Sequence, residues 1–406
     1  MFDRRAVPLH YPATMSTSET PAALFPQAQD PASGCTSLAR LGTGVLPYQA
    51  ILSMIRAHEI AAVPDIEPAQ IQPASMDLRL GRTAWRVRAS FLPGPQSTVM
   101  EKVEELGGYP LDLTTGAVFE RGCVYVVPLL ERVRLTGGIM GFANPKSSTG
   151  RLDVLTRLIT DGSMAFDQIE RGYEGPLYVE VAPQTFSIVA RQGSRLNQLR
   201  FQRGNPIIAA SELHRLYNEG QLVRSAAPHQ PIRDNLIPVT IDLKGAGQGS
   251  VIGYRAKKHT DKIDIDSVGA YDPHDFWEKL LYHRDAALIL DPDEFYILAT
   301  GEEVGVPPDL AAEMVPYYTR SGEYRVHYAG FFDPGFGWKE RAGGSKAVLE
   351  VRSHEVPFML EHGQTVGWLR YERMASHPDR IYGSVMKSSY QNQGLALAKH
   401  FRPFAE

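Results

Sequence analysis

Two long stretches of this chain carry the same motifs in the same order, about 170 residues apart. Four pairs of segments match in pattern and partly in identity: residues 75–81 with 240–245, 118–127 with 289–298, 176–181 with 346–351, and 193–201 with 363–371. The segments have the composition of strands joined by turns. The sequence therefore predicts one fold that occurs twice, so that the 406 residues form two domains of ordinary size.

Short runs of Val, Ile, Tyr and Phe dominate both repeats, and Gly, Pro and Asp turns separate them at close intervals. This pattern is typical of an all-β sandwich or barrel. Only a few short helices are expected, at residues 47–59, 209–220 and 275–282. We expect the helix at 209–220 to cap the first domain, with a linker around 224–234.

The predicted boundaries follow from these elements. They are a disordered tail over residues 1–44, a first domain over 45–222, a second domain over 236–376 and a C-terminal tail over 377–406. The N-terminal tail is rich in Pro, Ser, Thr and Ala and has no continuous apolar run, which argues against a signal peptide.

Composition excludes several classes of function. With 22% charged residues and a net charge of -4, the chain is unlike a general binder of nucleic acid or anionic membranes. No apolar run approaches the ~18 residues of a membrane span. Its two cysteines, Cys35 and Cys123, lie outside the patterns of a disulfide framework, a zinc ribbon or a zinc deaminase site. We expect a cytoplasmic protein that has no nucleic-acid or membrane partner and no zinc.

The turn at residues 144–151, Asn-Pro-Lys-Ser-Ser-Thr-Gly-Arg, is suited to binding an anion. Its backbone N–H groups, the hydroxyls of Ser147 and Ser148, and the planar guanidinium of Arg151 could hold an oligophosphate or orient a reacting group, and Lys146 adds a second cation. Taken alone, a turn of this composition is usually a solvated loop. Its function depends on the rest of the chain.

Each repeat places a glutamate inside an apolar strand, Glu180 in the first and Glu350 in the second. One interpretation is an outward-facing carboxylate paired with a neighbouring Lys or Arg. The other is a semi-buried general base whose pKa is set by burial and by an arginine. The recurrence at equivalent positions favours a functional origin.

Together these residues resemble the dCTP deaminases, relatives of the trimeric dUTPases, over roughly residues 45–400. That family carries a Ser-Ser-x-x-x-Arg segment, an Ala-x-x-x-Asp-Pro-Gly hairpin, a strand with the catalytic glutamate, and a tail with Tyr-x-Asn-Gln-x-Gly. The resemblance implies two tandem dUTPase-like β-barrel or jelly-roll domains. The matching residues are Ser147, Ser148 and Arg151, then Ala329 and Asp333, then Glu180 and Glu350, and finally Tyr390 and Gln393.

Neither repeat carries the full set of motifs. The first has the serine pair, but residues 167–173 stand where the Asp-Pro-Gly hairpin is expected. The second has the hairpin, but only Ser321 and Arg325 remain of the serine-arginine motif. In the family the site lies between subunits. The resemblance therefore implies a composite site in which residues 147–151 of the first repeat face residues 329–335 and Glu350 of the second, while the other junction is degenerate.

The chemistry implied by the resemblance is zinc-independent hydrolysis at C4 of the cytosine of dCTP, which gives dUTP and ammonia. A glutamate, Glu350 or its counterpart Glu180, would activate water, while Ser147 and Arg151 position that water and stabilise charge. A structural ion pair between Arg151 and Asp153 is the alternative.

The nucleotide would bring Mg²⁺ on its triphosphate. A tail segment, residues 387–394 with Tyr390 and Gln393, would close over it. Arg195 either touches phosphate or belongs to the polar face of an edge strand. The further expected substrate contacts are Lys146, Ser148, Ser321, Arg325, Ala329 and Asp333.

Two other functions stay open at this point. One is a dUTP diphosphatase, or a bifunctional enzyme that deaminates dCTP and cleaves the dUTP to dUMP; Asp333 is compatible with both, whereas Glu350 favours deamination. The other is a catalytically inactive nucleotide-binding regulator, since duplication allows one copy to diverge. In each case we expect a homo-oligomer with a trimer-like or pseudo-symmetric arrangement of domains.

Overall fold

The computed structural model describes residues 42–225, 230–282, 284, 286–315, 324–327 (backbone only), 330–338, 344–353, 355–383 and 394–404. Over these residues the protein is mainly β, as predicted, and its helices are short. The helices are α1 (Tyr48–Arg56), α2 (Val99–Glu105), α3 (Ser147–Gly150), α4 (Ala210–Asn218) and α5 (Pro273–Phe276), with a 3-10 turn at Pro68–Gln70. No helix among them is both long enough and apolar enough to cross a bilayer.

The first repeat contributes thirteen strands. They are β1 (Gly44–Val45), β2 (Ile60–Ala62), β3 (Met76–Leu78), β4 (Thr83–Val87), β5 (Tyr109–Asp112), β6 (Ala117–Phe119), β7 (Val124–Arg134), β8 (Ile139–Pro145), β9 (Val154–Thr160), β10 (Gln168–Ile169), β11 (Glu174–Pro183), β12 (Ile188–Ala190) and β13 (Asn197–Arg203). One sheet has the order β5-β4-β7-β11-β9 with β2 beside β7, and a second has the order β1-β13-β8-β10 with β3 beside β13. Strands β6 and β12 pair in a third, small sheet.

The second repeat has the same sheet topology. Its strands are β14 (Val223–Arg224), β15 (Ile237–Thr240), β16 (Val251–Ala256), β17 (Ile263–Asp264), β18 (Trp277–Leu281), β19 (Ala287–Leu290), β20 (Phe295–Val304), β21 (Leu310–Val315), β22 (Tyr324–His327), β23 (Phe331–Phe332), β24 (Ser345–Ser353), β25 (Phe358–Glu361) and β26 (Thr365–Arg373). The sheets are ordered β18-β16-β20-β24-β22 with β14 beside β20, β15-β26-β21-β23, and β19-β25. Apart from β1 and β17, which have no counterpart strand in the other half, this order repeats the first half and confirms the predicted duplication.

The strand register confirms three of the four predicted segment pairs and corrects one. Strand β11 places Glu180 opposite Val126, and β24 places Glu350 opposite Ile297 in the same relation. The match of residues 75–81 with 240–245 is wrong by four residues. Leu80 bridges Leu129 where Ile241 bridges Thr300, so Leu80 and Ile241 are counterparts despite the similar Asp-Leu pairs nearby.

The predicted boundary at residue 222 is also wrong, because α4 opens the second repeat. Its apolar residues Leu213, Leu216 and Tyr217 are buried in the second core. Strand β14 then pairs with β20 just as β2, after α1, pairs with β7. An amphipathic helix needs an apolar surface to cover, but its own pattern does not say which core supplies that surface.

The predicted helix at residues 275–282 is wrong over most of its length. Helix α5 ends at Phe276, and the following residues form β18 against β16. Cross-strand contacts such as the Arg255–Glu278 ion pair, 2.6 Å between Nη2 and Oε2, accompany this pairing. Tertiary pairing here decides the conformation against a weak local helical pattern.

The two repeats share one continuous core at their junction. Phe276, Trp277 and Phe295 of the second repeat pack into the first core, where Phe186 makes edge contacts with the first two rings. Strand β17 adds in parallel to β12 of the first repeat. Residues 394–404 pack on the same core through buried Ala398 and Phe401. Burial of such large apolar side chains, about 1.5–3 kcal/mol each, makes this junction a stable scaffold for a site between the repeats.

Candidate active site

The Ser-Ser-Thr-Gly turn between β8 and β9 forms the single turn α3. The N–H groups of Thr149 and Gly150 donate to the carbonyl of Lys146, and that of Arg151 donates to the carbonyl of Ser147. These bonds bury residues 148–151 and leave Ser147 exposed. Lys146, just before the turn, pairs with Asp77, and Arg151, just after it, lies beside Glu350.

Arg151 of the first repeat meets Glu350 of the second. Its Nε lies 3.9 Å from Oε1 of Glu350, and both residues are buried, at 5% and 6% exposure. Nη1 of Arg151 donates to the carbonyl oxygens of Ala396 and Leu397, at 3.2 and 3.4 Å. The arginine thus connects the first repeat with Glu350 of the second repeat and with the C-terminal segment.

Burial dominates the electrostatics of Glu350. Loss of solvent raises the pKa of its carboxyl to about 8, while Arg151 opposes that rise and the nearby Asp153 adds to it. A carboxyl group with a pKa near neutral can both accept a proton from water and return it. Burial therefore moves the pKa of the Glu350 carboxyl from its usual acidic range towards neutral pH.

A second ion pair crosses the same junction beside the first. The carboxylate of Asp153 accepts from Nε and Nη2 of Arg352, at 2.9 and 2.6 Å, and from the hydroxyl of Thr185 at 2.5 Å. Nη2 of Arg352 also donates to Thr185, at 2.9 Å. Asp153 is therefore engaged by the second repeat, and Arg151 reaches Glu350.

The Asp-Pro-Gly hairpin follows β23 and faces the other side of the α3 turn. Its Asp333 lies near Asp77, Lys146 and the N–H of Ala74, all from the first repeat, and burial raises the pKa of its carboxyl to about 6. Gly335 has φ +93°, and a Cβ there would stand 2.9 Å from the N atom of Tyr382, so the turn requires glycine. The structure thus brings the hairpin and the serine-arginine turn together.

Arg200 of β13 contacts the hairpin and the strand that precedes it. It is 2% exposed, and its guanidinium donates to the carbonyl oxygens of Ala312 and Phe332, at 3.2 and 3.3 Å. It lies 3.7 Å from Asp333 and stacks 4.0 Å from the ring centroid of Phe331. Sequence reasoning missed this residue, because a lone arginine in a strand gives no signal of its partner.

A cavity of about 330 Å³ opens beside the turn. Three cations contribute to its wall: Lys146, which pairs with Asp77; Arg195, 2.5 Å from Glu67; and Lys399. Burial lowers the pKa of His400 to about 4, so this ring is neutral near pH 7. The remaining lining residues are Ser148, Thr149, Leu152, Val154, Gly193, Leu196, Ile265 and Asp266. The cavity is small and polar, and its wall combines these cations with the carboxylates of Asp77 and Asp266.

The corresponding glutamate of the first repeat, Glu180, is covered by residues of its own repeat. Glu180 is 1% exposed and accepts from Nε and Nη2 of Arg157, at 3.0 and 2.5 Å. Arg157 donates to Ser90 at 2.7 Å and lies 3.8 Å from the ring centroid of Phe166. Residues of α2 join the apolar cluster on this face, with Val99 and Val103 fully covered. Glu180 therefore has its own cation within its own repeat.

The remaining predicted residues fall into two groups. Ser321, Ala329, Tyr390 and Gln393 lie outside the described residues. The backbone of Arg325 pairs with Arg352, at the position that Leu155 holds opposite Ala182. Its predicted correspondence with Arg151 is therefore wrong, since the register makes it the counterpart of Leu155.

Comparisons with known proteins agree with this geometry. Residues 42–205 match the family model of the 2'-deoxycytidine 5'-triphosphate deaminase N-terminal domain, and residues 209–401 match that of its C-terminal domain. The crystal structure of 2'-deoxycytidine 5'-triphosphate deaminase from Agrobacterium tumefaciens superposes with a TM-score of 0.78 and 52% identity, over 83% of this chain and 99% of that chain.

Other relatives match part of the chain. A "dCTP deaminase, dUMP-forming" of Beutenbergia cavernae is 34% identical over 154 residues, which are 36% of this chain and 77% of the relative. A dCTP deaminase of Shewanella frigidimarina is 29% identical over 182 residues, 43% of this chain and 79% of the relative. The two family models, the topology of both repeats and the similarity along nearly the whole Agrobacterium chain agree: this two-repeat chain belongs to the dCTP deaminase family.

Proposed function

We propose that this chain deaminates dCTP to dUTP and ammonia at one composite site between its two repeats. The observation that carries the proposal is the buried Glu350 of the second repeat beside Arg151 of the first. The hairpin with Asp333 and the cation-lined cavity lie around the same α3 turn and support it. Membership of the dCTP deaminase family supplies the substrate.

In this mechanism the carboxylate of Glu350 removes a proton from water as the oxygen attacks C4 of cytosine. The tetrahedral adduct then expels the amino group, which takes up the proton held by Glu350 and leaves as ammonia, while the remaining water proton passes from the C4 hydroxyl to N3, so that the C4=O and N3–H of uracil form. Arg151 donates toward the charge that develops on the adduct and keeps the glutamate in place. Water and dCTP thereby yield dUTP and ammonia with all atoms balanced.

The phosphates of the nucleotide would occupy the cavity beside the turn. Lys146, Arg195 and Lys399 offer cationic donors there, and Ser148 offers a hydroxyl. The volume of about 330 Å³ suits part of a nucleotide, since small-molecule sites start at about 300 Å³. Ser147 is exposed at the start of the turn, and we propose that its hydroxyl contacts the reacting water.

Magnesium would arrive on the triphosphate. The acidic residues of the cavity wall are already engaged, Asp77 by Lys146 and Asp266 by Arg191 and Ser194. The residues present therefore fit an ion held chiefly by phosphate oxygens and water.

Further residues are proposed to contact the nucleotide. Ser321, Arg325, Ala329, Tyr390 and Gln393 are proposed nucleotide contacts, and Glu180 is proposed to be structural because Arg157 and α2 enclose it. We also propose a cytoplasmic homo-oligomer, on the strength of the composition and the resemblance to oligomeric enzymes.

The test is incubation of the purified chain with dCTP and MgCl2, with and without a zinc chelator. We expect ammonia and dUTP in equal amounts, unchanged by the chelator. Release of dUMP and pyrophosphate would instead indicate the bifunctional reaction, which several relatives carry in their names. Nucleotide binding without ammonia would show an inactive regulator and refute the proposal.

The buried base predicts a pH dependence. Because Glu350 must be ionised to remove a proton and its pKa is raised to about 8, kcat/KM should fall about tenfold per unit as the pH drops below about 8. Initial rates of ammonia release at low dCTP, from pH 5.5 to 9.5, measure this limb. A limb with its midpoint at the ordinary glutamate pKa would contradict the assignment of Glu350.

A further inference from the structure

The Arg151–Glu350 contact does not stand alone at the junction. Arg151 and Asp153 lie two residues apart in the first repeat, and Glu350 and Arg352 lie two residues apart on β24. Side chains at i and i+2 of a strand share one face, so Glu350 and Arg352 both point at the segment 151–153. The first repeat supplies a cation and then a carboxylate, and β24 supplies a carboxylate and then a cation. Two ion pairs therefore form across the junction, Arg151 with Glu350 and Asp153 with Arg352.

The second pair is the better ordered of the two. Asp153 is fully buried, and its backbone is fixed by the donation of its N–H to Gly150 and of the Gln184 N–H to its carbonyl, each at 2.8 Å. Its carboxylate accepts two donors from Arg352 at 2.6 and 2.9 Å, whereas Arg151 stands 3.9 Å from Glu350. A buried guanidinium–carboxylate pair with such short bonds is geometrically specific.

The alternation also creates a choice of partners. If Asp153 lost Arg352, its carboxylate would be a competing partner for Arg151, two residues away. If Arg352 lost Asp153, its guanidinium would be a competing partner for Glu350 on the same strand face. A buried charge without its partner is costly, so such re-pairing is strongly favoured.

We propose that Asp153 and Arg352 are positioning residues, whose ion pair holds Arg151 at Glu350 across the junction. This inference deepens the proposed function, because it rests on Glu350 as the base of the deamination. Neither residue needs to touch the substrate. Thr185, which bonds both of them, belongs to the same clamp.

The effect of the Asp153–Arg352 pair can be measured through the pKa of Glu350, which depends on the charges around it. Arg151 and Asp153 face it from the first repeat, and Arg352 stands on its own strand. Across the sheet, Ile297 of β20 and His327 of β22 occupy the paired positions, and both stay unchanged in the variants below. Asp153 raises the pKa of Glu350. Removal of its charge should lower that pKa, and removal of Arg352, which frees Asp153 to draw Arg151 away, should raise it.

The experiment follows Glu350 with and without turnover. Infrared difference spectra against Glu350→Gln isolate its protonated-carboxyl band, whose midpoint is measured in the wild type, Asp153→Asn, Arg352→Gln and Arg352→Lys. We expect a shift of about one pH unit downward for Asp153→Asn and upward for Arg352→Gln, with Arg352→Lys near the wild type. The acid limb of kcat/KM for dCTP should move in the same directions. Arg215→Gln, which removes an exposed pair with Glu219, is the matched control and should shift nothing.

A purely structural role would lower stability without shifts of opposite sign. Midpoints that stay fixed, or move together, would overturn the clamp while leaving the deaminase intact. Opposite shifts in a protein that releases no ammonia would support the clamp and reject the proposed function. Should Asp153→Asn fail to fold, Arg352→Gln still decides, because its side chain is 15% exposed and a downward or absent shift contradicts the proposal.

Discussion

Replacement of Glu350 by Gln should lower kcat for ammonia release from dCTP by about 10²–10⁴-fold, the usual contribution of a general acid–base group. The amide keeps the size of the side chain but cannot take a proton from water. Nucleotide affinity should change little, because the cations proposed to bind phosphate line a cavity whose wall does not include Glu350. Steady-state kinetics and nucleotide titration of the same preparation separate the two effects.

Glu180→Gln is the matched control, since both glutamates occupy equivalent places in their sheets. Glu180 accepts from Arg157 inside its own repeat, under the cover of α2. We therefore expect turnover within about twofold of the wild type, after circular dichroism has shown a folded protein. Turnover lost in Glu180→Gln and kept in Glu350→Gln would reverse the assignment of the live junction.

The second large effect is expected at Arg151. Both Arg151→Met and Arg151→Lys should reduce kcat by about 10²–10³-fold, the cost of removing one preorganised donor from a transition state. Lysine keeps the charge but not the fork, which in the wild type reaches Glu350 and the carbonyl oxygens of Ala396 and Leu397 at once.

Two further readouts distinguish Arg151 from an ordinary structural arginine. Because Arg151 opposes the raised pKa of Glu350, its loss should move the acid limb of kcat/KM to still higher pH. The segment 394–404 should also become more sensitive to limited proteolysis, since two of its carbonyl groups lose their donor. Arg157→Lys, the equivalent change at Glu180, should leave the acid limb in place. Full activity of Arg151→Lys would show that charge alone suffices.

The fold could be predicted from sequence largely because it occurs twice. Short strands are ambiguous one at a time, but a second copy with the same order removes much of that ambiguity. Register was less accessible: the Asp-Leu similarity at residues 77 and 242 suggested a pairing that the bridges of Leu80 and Ile241 contradict. Helix α2 was not among the predicted helices, although the capping box of Thr98 and Glu101 marks its start in the sequence.

The candidate site was predictable where motifs carried it and not where tertiary pairing did. Arg151 and Glu350 belong to ordered motifs, and the structure places them in contact. The partner of Arg352 depends on which two segments meet across the junction, and no spacing along the chain encodes that. Lys399 and His400 line the cavity only because residues 394–404 return to the first core, a long-range contact without a local signature.

The composite site within one chain is tested most directly by complementation. Glu350→Gln and Arg151→Met, with different tags, are coexpressed, and any assembly carrying both tags is purified in two steps and assayed for ammonia release from dCTP. If both residues act within one chain, every chain in the mixed assembly lacks one of them. We therefore predict no activity above that of the two variants alone. Recovery of a substantial fraction of wild-type turnover would show that Arg151 of one chain serves Glu350 of another, and would contradict a site formed between the repeats of a single chain.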